Sequence, residues 1–178
     1  PRSSGIWQQK GLDIDGESVS DFSGSVSINA SGEILAIGAF GNNGNGANSG
    51  HVRIFNWNGT AWTQLGLDID GEAAADRSGC SVSMNANGDR LAIGALGNDG
   101  TGSNAGHVRI FNWDGTAWIQ LGLDIDGEAA ADNSGQSVSM NASGDRVAIG
   151  ADYNDGTGSN AGHVRIYEWN GTAWTQLG

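Results

Sequence analysis

Proline is almost missing from this chain of 178 residues, the single one being Pro1. Proline-rich linkers and cis-proline turns are therefore excluded from its interior. Cysteine is equally scarce: Cys80 stands alone, so no intrachain disulfide can staple the fold. Cations are few, with 8 Lys and Arg against 20 Asp and Glu and a formal net charge of −12. A nucleic-acid partner is excluded by that balance, because a phosphate backbone demands a basic surface. No apolar run approaches the roughly 20 residues of a membrane helix, and membrane insertion is not expected. No signal peptide is visible, but the sequence begins within a repeat, so a secretion signal is not excluded.

What is abundant is glycine, 31 residues without a collagen-like triplet period. Apolar residues recur between the glycines, which points to many tight turns in a folded chain. Internal repetition organises them. Residues 66–121 and 122–177 align without gaps and agree at about 46 of 56 positions. A first repeat from Gly11 is one residue shorter, lacking a counterpart to Cys80 or Gln136.

Each repeat reads as four short strands. "SVSMNA" (81–86) alternates Val82 and Met84 with polar residues, a period of two. Asn and Gly in "NANGDR" supply a hairpin turn before "RLAIGAL" (90–96). In that strand Leu91, Ile93 and Ala95 share one face and Ala92 and Gly94 the other. One large and one small face suit a sheet sandwiched between two more. "HVRIFNW" (107–113) and "TAWIQLG" (116–122) flank a "DG" turn, with "NG" in the other repeats. No segment has a helical period, so the expected class is all-β.

Four-stranded units in tandem can build a β-propeller, whereas three of them can close a β-trefoil. "GIWQQKGLDIDG" matches "GTAWTQLGLDIDG", which makes Trp7 the counterpart of Trp62, Trp118 and Trp174. Four copies of the last strand against three of the others leave one strand that a trefoil cannot place. The β-propeller is the expected fold, with the trefoil as the alternative. Residues 1–21 are read as the last strand of a preceding blade plus a link, 22–66 as blade 1, 67–122 as blade 2 and 123–178 as blade 3.

The segment "SGCSVSMNANGDRLAIGALGNDGTGSNAGHVRIF" resembles the FG-GAP repeat of integrin-like β-propellers. The matching residues are Gly79, Gly94-Ala95 and Gly106-His107-Val108, with Gly24, Gly38-Ala39, Gly50-His51-Val52 and Gly135, Gly150-Ala151, Gly162-His163-Val164 in the other repeats. There are departures. Ser78 and Ser134 replace the phenylalanine of the pair, while Phe22 sits one place early. Phe40, Leu96 and Asp152 replace the proline of Gly-Ala-Pro. The family's calcium loop is shortened here to "NASGE", "NANGD" and "NASGD", so its site does not transfer to that hairpin. The resemblance implies a ring of about seven blades, and closed propellers span about 4–8. Three blades imply a segment of a longer chain, or copies that associate; the duplicated last strand favours the segment.

Candidate sites repeat with the blades. Calcium takes six to eight oxygens, and acids alternating around a Gly turn can converge on one ion. Asp13, Asp15, Glu17 and Asp21 form one such set, with Asp68, Asp70, Glu72, Asp76 and Asp124, Asp126, Glu128, Asp132 as its counterparts. The other reading of each set is a solvated turn whose last Asp holds backbone amides. Asn98, Asp99 and Asn104 are a lesser cation candidate. His51, His107 and His163 recur once per repeat, so blade rotation separates them, and they are read as partly exposed strand residues. The pairs Trp57/Trp62, Trp113/Trp118 and Trp169/Trp174 either stack on sugars or clamp a hairpin or blade interface. Asn58 and Asn170 lie in exposed-turn sequons and are the glycosylation candidates.

No nucleophile elbow, phosphate loop or zinc motif is present, and every acid cluster is repeated where catalysis needs one asymmetric constellation. The expectation is therefore a protein without enzymatic activity: an extracellular or cell-surface scaffold for adhesion or assembly, with structural Ca2+. Its partners would be an extracellular protein or glycan, or further blades or copies of itself. The alternative is a carbohydrate-binding module using the edge tryptophans.

Overall fold

The computed structural model describes residues 6–178, all-β and without a helix among them. The first sheet comprises β1 (Ser23–Ile28), β2 (Ile34–Ala39), β3 (His51–Trp57) and β4 (Trp62–Gln64), with β5 (Ile69–Asp70) pairing β3 as well. The second repeats this with β6 (Ser78–Met84), β7 (Arg90–Ala95), β8 (His107–Trp113), β9 (Trp118–Gln120) and β10 (Ile125–Asp126). The third has β11 (Ser137–Met140), β12 (Arg146–Ala151), β13 (His163–Trp169) and β14 (Trp174–Gln176). All pairings between these strands are antiparallel.

Local chemistry accounts for the hairpins. The Asn85 side-chain oxygen accepts hydrogen bonds from the amides of Gly88, Asp89 and Arg90 at 3.0–3.1 Å, closing the β6–β7 turn. β6 starts earlier than its alternation predicts because a bulge between Ser78 and Ser81 lets the chain keep following β7. Its last strand is shorter than expected, and the edge resumes beyond a break as β10. Ile69–Asp70 and Ile125–Asp126, assigned from the sequence to the starts of blades 2 and 3, thus extend the edge of the preceding sheet.

The three sheets pack face to face in an open arc rather than closing into a barrel, which removes the trefoil alternative. Two apolar layers separate them. Between the first and second sheets lie Ala36, Val52, Ile54 and Ile69 against Val82, Met84, Leu91, Ile93 and Phe111. Between the second and third, Ala92, Val108, Ile110 and Ile125 meet Val147, Ile149 and Tyr167. The large and small faces read from β7 therefore point to opposite neighbours. Across each layer the bonding repeats: Met84 N donates to Ser27 Oγ and Met140 N to Ser83 Oγ, both at 2.9 Å.

Residues 6–10 do not form a strand, and Trp7 is wholly exposed. A fourth strand needs a third strand beside it, and among the described residues none lies beside this segment. Residues 1–5, part of the expected 1–21 unit, lie outside the described residues.

The sheet spacing rests on glycine. A Cβ on Gly94 would fall on the Gly135 carbonyl oxygen, and one on Gly38 on that of Gly79. At Gly150 the close atom is only the Ser137 hydroxyl, which can rotate. Gly94→Ala is expected to cost about 2 kcal/mol through overpacking. In the dilute chain Gly150→Ala should be neutral or stabilising by about 0.5 kcal/mol. Urea denaturation of the two variants measures the contrast.

Candidate functional site

Each loop that enters a blade is anchored by an arginine of that blade's third strand. Arg53, Arg109 and Arg165 donate through Nη2 to the backbone carbonyls of Asp15, Asp70 and Asp126, each at 2.6 Å. The last acid of each loop is buried and structural. Asp21, Asp76 and Asp132 accept from the amides of Ser18, Ala73 and Ala129 at 2.9–3.1 Å. They also accept from Asn42, Asn98 and Asn154 at 2.9–3.4 Å. Those asparagines in turn cap their own loops by accepting from Gly44, Gly100 and Gly156. Asp99 accepts from Asn104 N at 2.7 Å, so the second loop is held by turn bonds.

The four acids of one loop consequently do not converge on a single centre, and the expected calcium sets are divided. In the middle loop Asp76 holds backbone, Asp70 stands beside Gly44, and Asp68 and Glu72 face opposite blade junctions. The same division recurs for Asp124, Asp126, Glu128 and Asp132, and in the first loop Asp21 holds backbone, Glu17 faces His51 and Asp13 accepts from Gln9. The reason is geometric: the loop crosses from one sheet to the next, pairing with the first through Ile69–Asp70 before entering the second.

What the fold brings together instead includes the histidines. His51 Nδ1 lies 3.9 Å from Glu17 Oε2 and 3.7 Å from Asp68 Oδ2. His107 Nδ1 lies 3.9 Å from Glu72 Oε2 and 3.8 Å from Asp124 Oδ2. Among the described residues His163 has only Glu128, at 3.6 Å. Contrary to the expectation of partial exposure, His51 and His107 are each only 1% exposed. The loop leaving the blade pairs with the start of the third strand and covers the ring. Burial, and then the Arg109 charge, hold the His107 pKa below its ordinary value, against the opposing pull of Asp124, Glu72 and Asp76. A neutral imidazole keeps one lone pair for a ligand.

The tryptophans are built into the blade interface. Trp62, Trp118 and Trp174 donate through Nε1 to the carbonyls of Lys10, Leu65 and Leu121 of the preceding unit, at 2.9–3.0 Å. Their partners Trp57, Trp113 and Trp169 lie 5.5 Å away, centroid to centroid. Each pair closes over a glycine of positive φ, namely Gly11, Gly66 and Gly122, where a side chain would strike the indoles. The clamp reading accounts for every one of these contacts. Asn58 and Asn170 sit at exposed hairpin tips and accept from the following Thr and Ala amides. Asp114 makes the same bonds in the middle repeat, so the requirement common to the three positions is the turn.

One further feature is not repeated. A cavity of about 410 Å³ opens where the three blades meet at one end of the first and second strands. Phe40, Arg77, Leu96, Gln136, Asp152 and Tyr153 contribute to its wall. Cys80 also lines it, but burial raises its thiol pKa, which keeps the sulfur protonated. Arg77 and Asn133, Cys80 and Gln136, and Leu96 and Asp152 are equivalent positions in the two near-identical repeats, and they differ. The acid clusters are repeated as read, but the lining of this cavity is an asymmetric constellation.

No family model matches the chain, and no curated protein matches it by sequence. Solved structures do match in fold. A candidate 6-phosphogluconolactonase from Bacteroides fragilis superposes with a TM-score of 0.61 at 12% identity, over 89% of this chain and 38% of that one. One from Bacteroides uniformis gives 0.59 at 11%, over 88% and 40%. The Cps50 (Swd1) β-propeller domain of Myceliophteria thermophila gives 0.53 at 13%, over 89% and 37%. The chain thus spans about two fifths of these structures, and at such identities the likeness establishes a propeller-like fold alone. It does overturn the expectation that enzymatic activity is excluded. Two of the structures that share this architecture are described as candidate lactonases, and the unrepeated cavity supplies the asymmetry whose absence carried that expectation.

The clamp and the sugar platform predict different outcomes for Trp118→Phe. Loss of the Nε1 bond should leave the Leu65 carbonyl unpaired and lower stability by about 1 kcal/mol in chemical denaturation. A sugar platform predicts unchanged stability and weakened glycan retention instead.

Proposed function

We propose that the chain is a run of β-propeller blades of the FG-GAP, integrin-like kind, working outside the cell or on its surface as an adhesion or assembly scaffold. Blades of its own kind complete the arc. The observation that carries this reading is the pair of uncovered end faces. Val26 on the outer face of the first sheet is 61% exposed, whereas its middle-blade equivalent Val82 is 8% exposed. Val164 on the opposite end is 67% exposed and its equivalent Val108 is completely buried. Ile28 and Ile166 follow the same pattern.

These two faces are the two halves of a contact the chain already makes twice. A head-to-tail encounter between copies would offer Val164 and Ile166 to Val26 and Ile28, as Val108 and Ile110 are offered to the third sheet. Such a contact is heterologous, so it propagates until the ring closes. Equal blades at regular angles also let weak ligand contacts add through multivalency.

A ligand-binding role finds its support at the unrepeated cavity rather than at the tryptophans. Its volume is within the range of small-molecule sites, and Arg77, Gln136, Asp152 and Tyr153 offer a charged, amide and aromatic lining. A polar ligand the size of a sugar matches that chemistry.

Light scattering across a dilution series tests the assembly. Wild type should show species heavier than 18.2 kDa, and Val164→Glu with Ile166→Lys should return it to a folded monomer. A wild-type monomer at every concentration overturns completion of the arc by separate copies. For the cavity, a glycan array should lose its signal on Tyr153→Ala and Arg77→Ala while stability is kept.

A further inference from the structure

Every junction between blades carries a histidine nitrogen that has nothing to bond. His51 and His107 are buried, and their Nε2 atoms have no hydrogen-bond partner among the described residues. Their Nδ1 atoms face two carboxylate oxygens at 3.7–3.9 Å, beyond hydrogen-bonding reach. The three donor atoms of each group all lie within 4.8 Å of one another. Bonds of about 2.1 Å meeting at a tetrahedral angle place their ligand atoms about 3.4 Å apart. The clusters are therefore a few tenths of an ångström wider than a bound site on the histidine edges.

The carboxylates are also oriented. Gln64 and Gln120 donate to Asp68 Oδ1 and Asp124 Oδ1 at 2.6–2.7 Å, which leaves each Oδ2 turned to the histidine. Arg53 and Arg109 approach the Oε1 atoms of Glu17 and Glu72 at 3.4–3.6 Å, leaving each Oε2 turned the same way. One oxygen of each acid is engaged and the other is aimed inward. Such a cluster has an identity that an acidic loop lacks: a buried, unpaired imidazole at its centre, occurring twice at equivalent places.

We propose that the two junctions, Glu17–His51–Asp68 and Glu72–His107–Asp124, each bind a divalent transition-metal ion of the zinc class. Imidazole with carboxylates selects such ions over calcium, which takes oxygen alone. Three protein ligands leave a coordination position for water. The histidine Nε2 has no outer acceptor, so ring orientation comes from packing, and affinity falls below that of a closed structural site. The two acids come from consecutive repeats, so the ion ties the loop entering a blade to the loop leaving it.

The ends carry the halves of one more site. His163 and Glu128 hold two of the ligands. Asp13, oriented by Gln9 at 2.7 Å, is the equivalent of the missing third. On the assembly reading above, a head-to-tail contact would unite them, whereas the two internal sites need no second copy.

Equilibrium dialysis of the metal-stripped chain against Zn2+, with elemental analysis, tests the proposal. The monomeric Val164→Glu, Ile166→Lys variant is measured alongside, so that failure of assembly leaves the internal count intact. Two ions per chain are expected in that variant. Asp68→Asn with Asp124→Asn should weaken binding by more than about tenfold at both sites. Glu17→Gln with Glu72→Gln should do the same, and this second pair decides the matter if the first fails to fold. At about a hundredfold excess over Kd, Zn2+ should raise the melting temperature by about 5 °C or more. Ca2+ should leave it unchanged. No retained zinc, zinc retained equally by folded forms of both variant pairs, or a response to Ca2+ alone would each overturn the assignment.

Discussion

Adjacent sheets meet through one broad apolar face and one nearly bare face, and the approach of a glycine to the next sheet's carbonyl sets their separation. Gly38 lies against the Gly79 carbonyl and Gly94 against that of Gly135. This closeness lets Leu91 and Ile93 pack in one buried cluster with Ala36, Val52 and Ile54. It also brings backbone within reach across the layer, so that Ala30 N donates to Ala86 O and Ala86 N to Ala142 O at 3.0 Å. A single sheet of this kind has two apolar faces and cannot satisfy either alone. Its stability belongs to its neighbours, as in any stacked repeat.

The junction chemistry follows from the same constraint. Once the sheets are set at that spacing, the connecting loop must pass from the edge of one to the start of the next, over the first residues of a third strand. His107 occupies the head of β8, where Asp126 pairs with it in the ladder. Arg109, two residues on and on the same face, holds the loop that enters the blade through Asp70 O. A loop pinned at both ends delivers one acid to each of two histidines. The string "DIDGEAAAD" thus serves three positions in space although it is continuous in sequence.

Much of the fold is legible in the residues. Alternation in "SVSM", the Asn-Gly turns and the small face of Ala92 and Gly94 give strands, hairpins and stacking direction before any coordinates. The pairing of Ile69–Asp70 with β3 is not legible, because two residues carry no periodicity. The histidine cluster is hidden for a related reason. Its members Glu72, His107 and Asp124 come from two consecutive repeats, so a reading of one repeat sees four neighbouring acids and an isolated His. The tryptophans are readable as a pair at a hairpin or blade interface, but the glycine they close over and the carbonyl they bond are not, since Gly66 gives no sign of what covers it. Its positive φ is visible only in the coordinates.

Repetition also sorts the surface by what it is able to do. A residue common to all repeats performs the same task at each junction, which suits packing, loop anchoring and equivalent ion sites. It cannot by itself make one distinctive place. Only residues that differ between repeats can do that, and several of them meet at the cavity: Arg77 opposite Asn133, Cys80 opposite Gln136, Leu96 opposite Asp152. The backbone there is held rather than free. Arg77 and Asn133 have φ of 56° and 54°, and both amides are fixed by carbonyls of the preceding blade, those of Asn48 and Asn104. A rigid frame that tolerates different side chains at fixed backbone positions lets recognition change without disturbing the stack. The same frame requires the arc to be in place first, because Phe40, Arg77 and Tyr153 belong to three different blades.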